Sequence, residues 1–300
     1  MVELLKKRYL TNAIARSYTK YSKTKPIILI DLGATNCRAT IRSLRGEKIL
    51  RGILKSKYQT KVKSSKKAVI ESIMKVTERY LEVYPESEVR MAVCGVVKDK
   101  VTLPNLNIAE WDMKKDLYKL FGHTNIKIIN DVVAAYYGED AEDSTVIYVG
   151  TGIGSSEKGE NLEIGRSYTY PDYKYKGYGN RKSNVENYAS GLALKKQCEL
   201  QGLEIDADIH EIGKILSDMS CKDAKAREVL AQTGKILGQL INNYNEHKKH
   251  PSNWKYIIGG SLGKNKYYFE GIKSVCNLNV EKSKYEGSEA IYKGLISKFN

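Results

Sequence analysis

Asp31 ends a run of branched apolar residues in IILIDLGATN (27–36), and Gly33, Ala34, Thr35 and Asn36 follow it. A carboxylate at a strand end suits a hydrated divalent cation. A turn of small residues lets backbone N–H groups approach an anion, and Thr35 and Asn36 add donors. These residue types describe a phosphate site. They equally describe a core strand, a tight turn and a solvated carboxylate. Asp131 sits in a similar setting: IKII (126–129) delivers Asn130 and Asp131 ahead of the apolar VVAAYYGE. A carboxylate there can take a proton from a hydroxyl or cap a helix. Two further apolar runs end on small residues, TVIYV on GTGIGSS (150–156) and KYII on GGSLG (259–263). Three such turns in one chain suggest one phosphate-rich ligand touched from several sides.

The elements that must carry these residues alternate between strand-like and helix-like. Residues 26–32 and 37–42 read as a hairpin around the first turn, with 47–54 as its third strand. Helical spacing predicts helices over 66–84, 113–121, 187–201, 223–245 and 287–298, and another over VVAAYYGE. Residues 89–97, 126–129, 145–149 and 255–258 read as strands, 99–104 as a short extended piece, and SSEKGENLEIGRSY as a hairpin. Such alternation predicts an α/β fold, in which ligands sit beyond the strand carboxyl ends.

Composition narrows the function classes. The chain has 300 residues, 41% of them hydrophobic, enough for one large domain or two ordinary ones. No apolar run reaches the ~20 residues that span a bilayer. The net charge is +15, which suits nucleic acid or any phosphorylated ligand. Residues 1–25 carry seven basic residues and only Glu3. They lack the apolar core of a secretory signal and read as a solvated helix at the domain edge. Cys37, Cys94, Cys198, Cys221 and Cys276 are scattered, which predicts buried free thiols in a reducing cytoplasm. The four histidines lie in polar contexts and read as surface positions. GxxxxGK followed by Ser or Thr is absent, which argues against a P-loop NTPase. GTGIGSS is not GxGxxG and does not open a helix directly, which argues against a dinucleotide fold.

The ordered set DLGATN, GVV…LPNLN…W, NDVVAAYYGE, GTGIG, ENYASG and IIGGSLG resembles the ROK family of sugar kinases (repressors, open reading frames, kinases) over about residues 26–300. The resemblance implies an α/β, two-lobed actin-like, hexokinase-type (ribonuclease H-like) ATPase fold with a central cleft. It implies a basic extension at 1–25, a small N-terminal lobe at 26–124 that takes back the final helix at 286–300, and a large C-terminal lobe at 125–285. It implies ATP and Mg²⁺ as ligands. Asp31, Gly33, Thr35 and Asn36 would form one phosphate turn, with Asp31 holding Mg²⁺ through water. Gly150, Thr151, Gly152 and Gly154 would form the other, and Gly259 and Gly260 would pack on adenosine. Asn105, Asn130, Asp131, Glu163 and Glu186 would bind the sugar, with Asp131 as general base. Read without the resemblance, Asn105 is a turn residue, Glu186 a solvated helix start and Glu163 an exposed strand residue.

One motif departs from the family. Many members carry a sugar-binding histidine that also ligates zinc with three cysteines. Here Leu162-Glu163-Ile164-Gly165 is followed by Arg166, and no cysteine lies between Cys94 and Cys198. The expectation is no structural zinc, with Arg166 or the cluster Tyr168, Tyr170, Tyr173, Tyr175 and Tyr178 taking over. The family also contains sugar-responsive transcription regulators, and a sugar-responsive regulator or a catalytically silent sugar sensor is the competing reading. The 1–25 segment is too short for the helix-turn-helix module such regulators add. The expected partners are therefore a small-molecule sugar and ATP, in the cytoplasm, without membrane or nucleic acid. A homodimer stays open, as does the identity of the sugar.

Overall fold

The apolar run and Asp31 together form β1 (Ile27–Leu32), buried at all six positions. It pairs antiparallel with β2 (Asn36–Arg42) and parallel with β4 (Glu88–Val93). A strand paired on both edges and covered on both faces requires such an unbroken apolar run. The computed structural model describes residues 26–49, 57–122, 125–208 and 211–300. The basic 1–25 segment, His123 and His210 fall outside them. The described residues divide into two compact units, one running to Ala134 and taking back Ile291–Asn300, the other Ala135–Ala290.

In the first unit the sheet runs β3-β2-β1-β4-β8, with β3 (Tyr58–Lys61) and β8 (Ile126–Asn130) at its edges. Besides β1, the strand paired with β2 is β3, and residues 50–54 of the expected 47–54 lie outside the described residues. Residues 47–49 contribute one isolated bridge, Lys48 to Arg42. Strand β3, YQTK, is short and half polar, so no apolar alternation announces it. Helix α1 (Lys66–Val83) buries Val69, Ile73, Val76 and Tyr80, spaced by four, three and four residues. Its first turn is capped by Ser65 Oγ, which accepts from Ala68 N at 3.1 Å. A small sheet of β5 (Val96–Val97), β6 (Val101–Leu103) and β7 (Ile108–Trp111) precedes α2 (Met113–Phe121), which ends on Gly122 at φ 73. Helix α3 (Asp131–Glu139) follows β8 without a break.

In the second unit the order is β11-β10-β9-β12-β13, from β9 (Ser144–Val149), β10 (Ile153–Glu157), β11 (Glu160–Asn161), β12 (Lys255–Gly259) and β13 (Asn279–Lys282). The hairpin expected after GTGIG is the β10–β11 pair. Around it lie α4 (Ile164–Ser167), α5 (Glu186–Ala189), α6 (Leu194–Leu200), α7 (Ile212–Met219), α8 (Ala224–Lys248) and α9 (Lys266–Val275). The helix expected over 187–201 is broken, because Ser190 is extended and its Oγ donates to Thr151 O at 2.9 Å. Helices α8 and α9 cross at glycines: a Cβ on Gly234 would meet Tyr268 O at 2.0 Å, and one on Gly271 would meet Ala231 O at 2.1 Å. The final helix, α10 (Glu289–Phe299), closes the chain. Among the described residues no helix is long and apolar enough to cross a membrane.

Candidate functional site

Strand register fixes where the first unit's candidates meet. Leu32 pairs with Val93 and Val93 with Asn130. The carboxyl ends of β1, β4 and β8 therefore lie along one sheet edge, the outer two roughly 10 Å apart across two strand spacings. Gly33 N donates to Asn36 O at 2.9 Å and closes the first turn. Asp31 is only 4% exposed, and Arg38 Nη1 donates to its Oδ2 at 3.3 Å. Arg38 Nε donates to Gln59 Oε1 at 3.0 Å, and Gln59 Nε2 to Asn36 Oδ1 at 3.1 Å. Arg38 and Gln59 were not expected here. The hairpin itself carried the signal for Arg38, which stands directly opposite Asp31.

At β8 the cap and the carboxylate separate into two residues. Asn130 Oδ1 accepts from Val132 N at 2.9 Å and Val133 N at 3.0 Å, and its Nδ2 donates to Gly95 O at 2.8 Å. Asn130 therefore caps α3. Asp131 is the first helical residue, where the helix dipole favours an anion, and its Oδ1 accepts from Val132 N at 2.9 Å. Gly95 has to be glycine: a Cβ there would lie 2.1 Å from Thr102 O. Asn105 is half-buried in a 3-10 turn, Pro104–Leu106.

The second unit gathers its candidates the same way. Strands β9 and β12 are parallel, with Gly259 opposite Tyr148, so both glycine turns share one edge. Gly150 N donates to Gly152 O at 3.0 Å. Gly191 N donates to Gly150 O at 2.8 Å and Leu192 N to Thr151 O at 3.1 Å, tying ENYASG to GTGIG. Leu262 N donates to Val149 O at 3.1 Å, which brings the late turn to the same place. Gly260 has φ 82, and a Cβ on it would meet Val149 O at 2.3 Å. Gly150, Gly152 and Gly154 are not among the positive-φ glycines, and a Cβ on Gly150 would meet nothing within 4 Å.

Glu186 is buried at 5% exposed, not a solvated helix start. Its Oε2 accepts from Ile153 N at 2.9 Å and its Oε1 from Arg166 Nε at 2.9 Å. Glu163 is half-buried in a left-handed turn at φ 50 rather than in a strand. Burial pushes its carboxyl above the usual range, against the pull of Asn161 and Arg166. Among the described residues no group of three or more His, Cys, Asp or Glu side chains is placed to hold a metal ion.

The ROK family model matches residues 27–292. The chain belongs to the ROK family. The resemblance carried by the ordered motifs is thereby shown. Its ROK fold is shared with solved structures. A ROK glucokinase from Streptomyces griseus, solved with glucose and AMPPNP, is 20% identical with TM-score 0.71, covering 90% of this chain and 97% of that one. A glucokinase from Balamuthia mandrillaris, solved with glucose, is 15% identical with TM-score 0.68, covering 97% and 99%. A ROK family transcriptional regulator, a homologue of the Escherichia coli Mlc protein, is 17% identical with TM-score 0.65, covering 91% and 78%. A search of curated proteins finds no match.

Where this ROK chain departs from its family's motif, its own side chains hold the loop. Arg166 Nη1 donates to Asn180 Oδ1 at 3.0 Å, and its guanidinium also reaches the Tyr178 phenol. Tyr168 pairs with Tyr175 and Thr169 with Asn184 in isolated bridges. Tyr170 stacks on Tyr188 at 4.4 Å between centroids. Two surface expectations fail elsewhere. The His250 imidazole is buried, stacked on Trp254 at 4.3 Å and 3.1 Å from Glu157 Oε2, whereas His247 is exposed. Cys221 is exposed although the other four thiols are buried or half-buried.

Proposed function

We propose that this chain is an ATP-dependent sugar kinase that phosphorylates a glucose-type hexose hydroxyl. The observation that carries the reading is the corner at Asn130 and Asp131. Asn130 caps the helix through Val132 N and Val133 N, and Asp131 stands beside it at the first helical position with its Oδ1 on Val132 N, which fixes the direction of the carboxylate. Support comes from family membership and from relatives solved with glucose and with AMPPNP.

In this reading the sugar hydroxyl oxygen attacks the γ-phosphorus, the bond from phosphorus to the ADP oxygen breaks, and Asp131 takes the hydroxyl proton. Asn130 holds Asp131 in place. Asn105, Glu163 and Glu186 meet sugar hydroxyls, since an amide both donates and accepts and a carboxylate accepts. Thr35, Asn36 and the backbone of 33–36 and 150–154 meet phosphate, and Gly259 and Gly260 meet adenosine. Mg²⁺ would supply charge neutralisation, and Asp31, a carboxylate at the first turn that already takes Arg38 Nη1 at 3.3 Å, is the residue that would hold it through water. Free thiols throughout the described residues agree with a cytoplasmic setting, and a homodimer is the assembly proposed.

The test is a coupled ADP-release screen with ATP, Mg²⁺ and a panel of free sugars. Turnover with one hexose above the others is expected. Sugar binding by calorimetry with no ADP released would instead mark a regulator or silent sensor, and sequence-specific DNA binding would single out the regulator. No sugar bound and no turnover with any hexose would overturn the reading.

A further inference from the structure

Glu186 stands at a junction inside the second unit. Its Oε2 takes the N–H of Ile153, the residue directly after the Gly150–Gly152 turn. Its Oε1 takes Arg166 Nε, and the other arm of Arg166 reaches Asn180 on the 168–185 loop. Both charged side chains are 7% exposed. A desolvated, hydrogen-bonded pair of this kind is short and directional, and removing one partner leaves a buried charge uncompensated. Arg166 only donates, so it cannot accept from a hydroxyl. It can aim the carboxylate that does. Each carboxylate oxygen carries two acceptor positions, so Glu186 can take a sugar hydroxyl while keeping Ile153 N and Arg166.

We propose that Arg166 is a positioning residue that, through Glu186, couples sugar occupancy to the nucleotide turn at 150–153. The proposal rests on the sugar-kinase reading above. A hydroxyl arriving on Glu186 loads the same carboxylate that holds the turn's following N–H. Coupling of this kind is reciprocal, so sugar tightens nucleotide by the factor by which nucleotide tightens sugar.

The experiment is calorimetry on the full chain, titrating a non-hydrolysable ATP analogue with Mg²⁺, with and without the hexose selected by the ADP-release screen. In the wild type the hexose should tighten the analogue about 10-fold. Arg166→Met should bring that factor to about 1, and Arg166→Lys, which keeps the charge and loses the fork, should restore part of it. A merely structural brace would lower the melting temperature of Arg166→Met and leave the factor at its wild-type value, which would overturn the proposal. If Arg166→Met does not fold, the double variant Arg166→Met/Glu186→Gln leaves neither charge alone. Loss of the factor there supports the coupling, and retention overturns it. Hexose and analogue binding independently in an active wild-type enzyme would overturn the coupling while sparing the kinase. A wild type that binds no hexose overturns both.

Discussion

Asn130 and Asp131 share the first turn of α3, where Val132 N lies within hydrogen-bond reach of both side chains. The amide satisfies Val132 N, Val133 N and Gly95 O. The carboxylate next to it accepts from Val132 N and is the base in the proposed reaction. Asp131→Asn keeps the shape and removes the base. Turnover of the selected hexose should fall about 10²-fold or more, with melting temperature and nucleotide affinity unchanged. Steady-state kinetics on the folded variant checks this, and near-normal kcat would remove Asp131 from the mechanism. Gly152 is the matching test on nucleotide. Its carbonyl closes the turn with Gly150 N, and a branched side chain would stand in the way of the phosphate in the proposed reading. Gly152→Val should weaken ATP binding about 10-fold or more, read by calorimetry on protein with a wild-type far-ultraviolet spectrum. Unchanged affinity would reduce GTGIG to a plain turn.

At the scale of elements, α10 is fastened by β4 and β8. Arg90, 1% exposed, donates through Nη1 to Leu295 O at 3.1 Å and Ile296 O at 3.0 Å, the second of which also accepts from Asn300 N at 3.1 Å. Its Nε donates to Glu88 Oε1 at 2.7 Å, and Lys127 Nζ lies 3.0 Å from the same oxygen. Burial by itself would raise the Glu88 carboxyl. The hydrogen bonds from Arg90 and Lys127 outweigh it and hold the group below its ordinary value of 4.5. A carboxyl lowered in the native state stabilises it fully above its unfolded value and loses that contribution as pH falls through the native one. Stability should therefore decline on acidification below about 4.5, and Glu88→Gln should flatten that limb. Urea midpoints measured from pH 6 downward decide the matter. Parallel curves for the two proteins would count against it.

For the whole molecule, ligand chemistry separates the two metals that the family brings to mind. Phosphoryl transfer depends on neutralising the triphosphate, so EDTA should abolish turnover and excess Mg²⁺ restore it. A zinc-selective chelator should leave the melting curve in place, because Arg166, Asn180 and stacked tyrosines hold the 168–185 loop with bonds of their own. Elemental analysis with about one zinc per chain would contradict that. Much of this protein was legible without coordinates. Unbroken apolar runs specify doubly paired strands, helical spacing specifies α1, α2 and α8, and small residues at strand ends mark the turns, since period and side-chain size are local properties of a sequence. What tertiary structure alone decided was partnership. The anchoring of the Asn130 amide, which caps the helix beside Asp131, depends on where Gly95 O lies. Burial of Glu186 depends on Arg166, twenty residues away. The third strand, YQTK, carries little pattern and exists because β2 offers it a free edge. His250 is buried where β10 brings Glu157 Oε2 within 3.1 Å of it, beside the stacked Trp254. Long-range contacts set these outcomes, and no local period encodes which distant side chain will satisfy a buried charge.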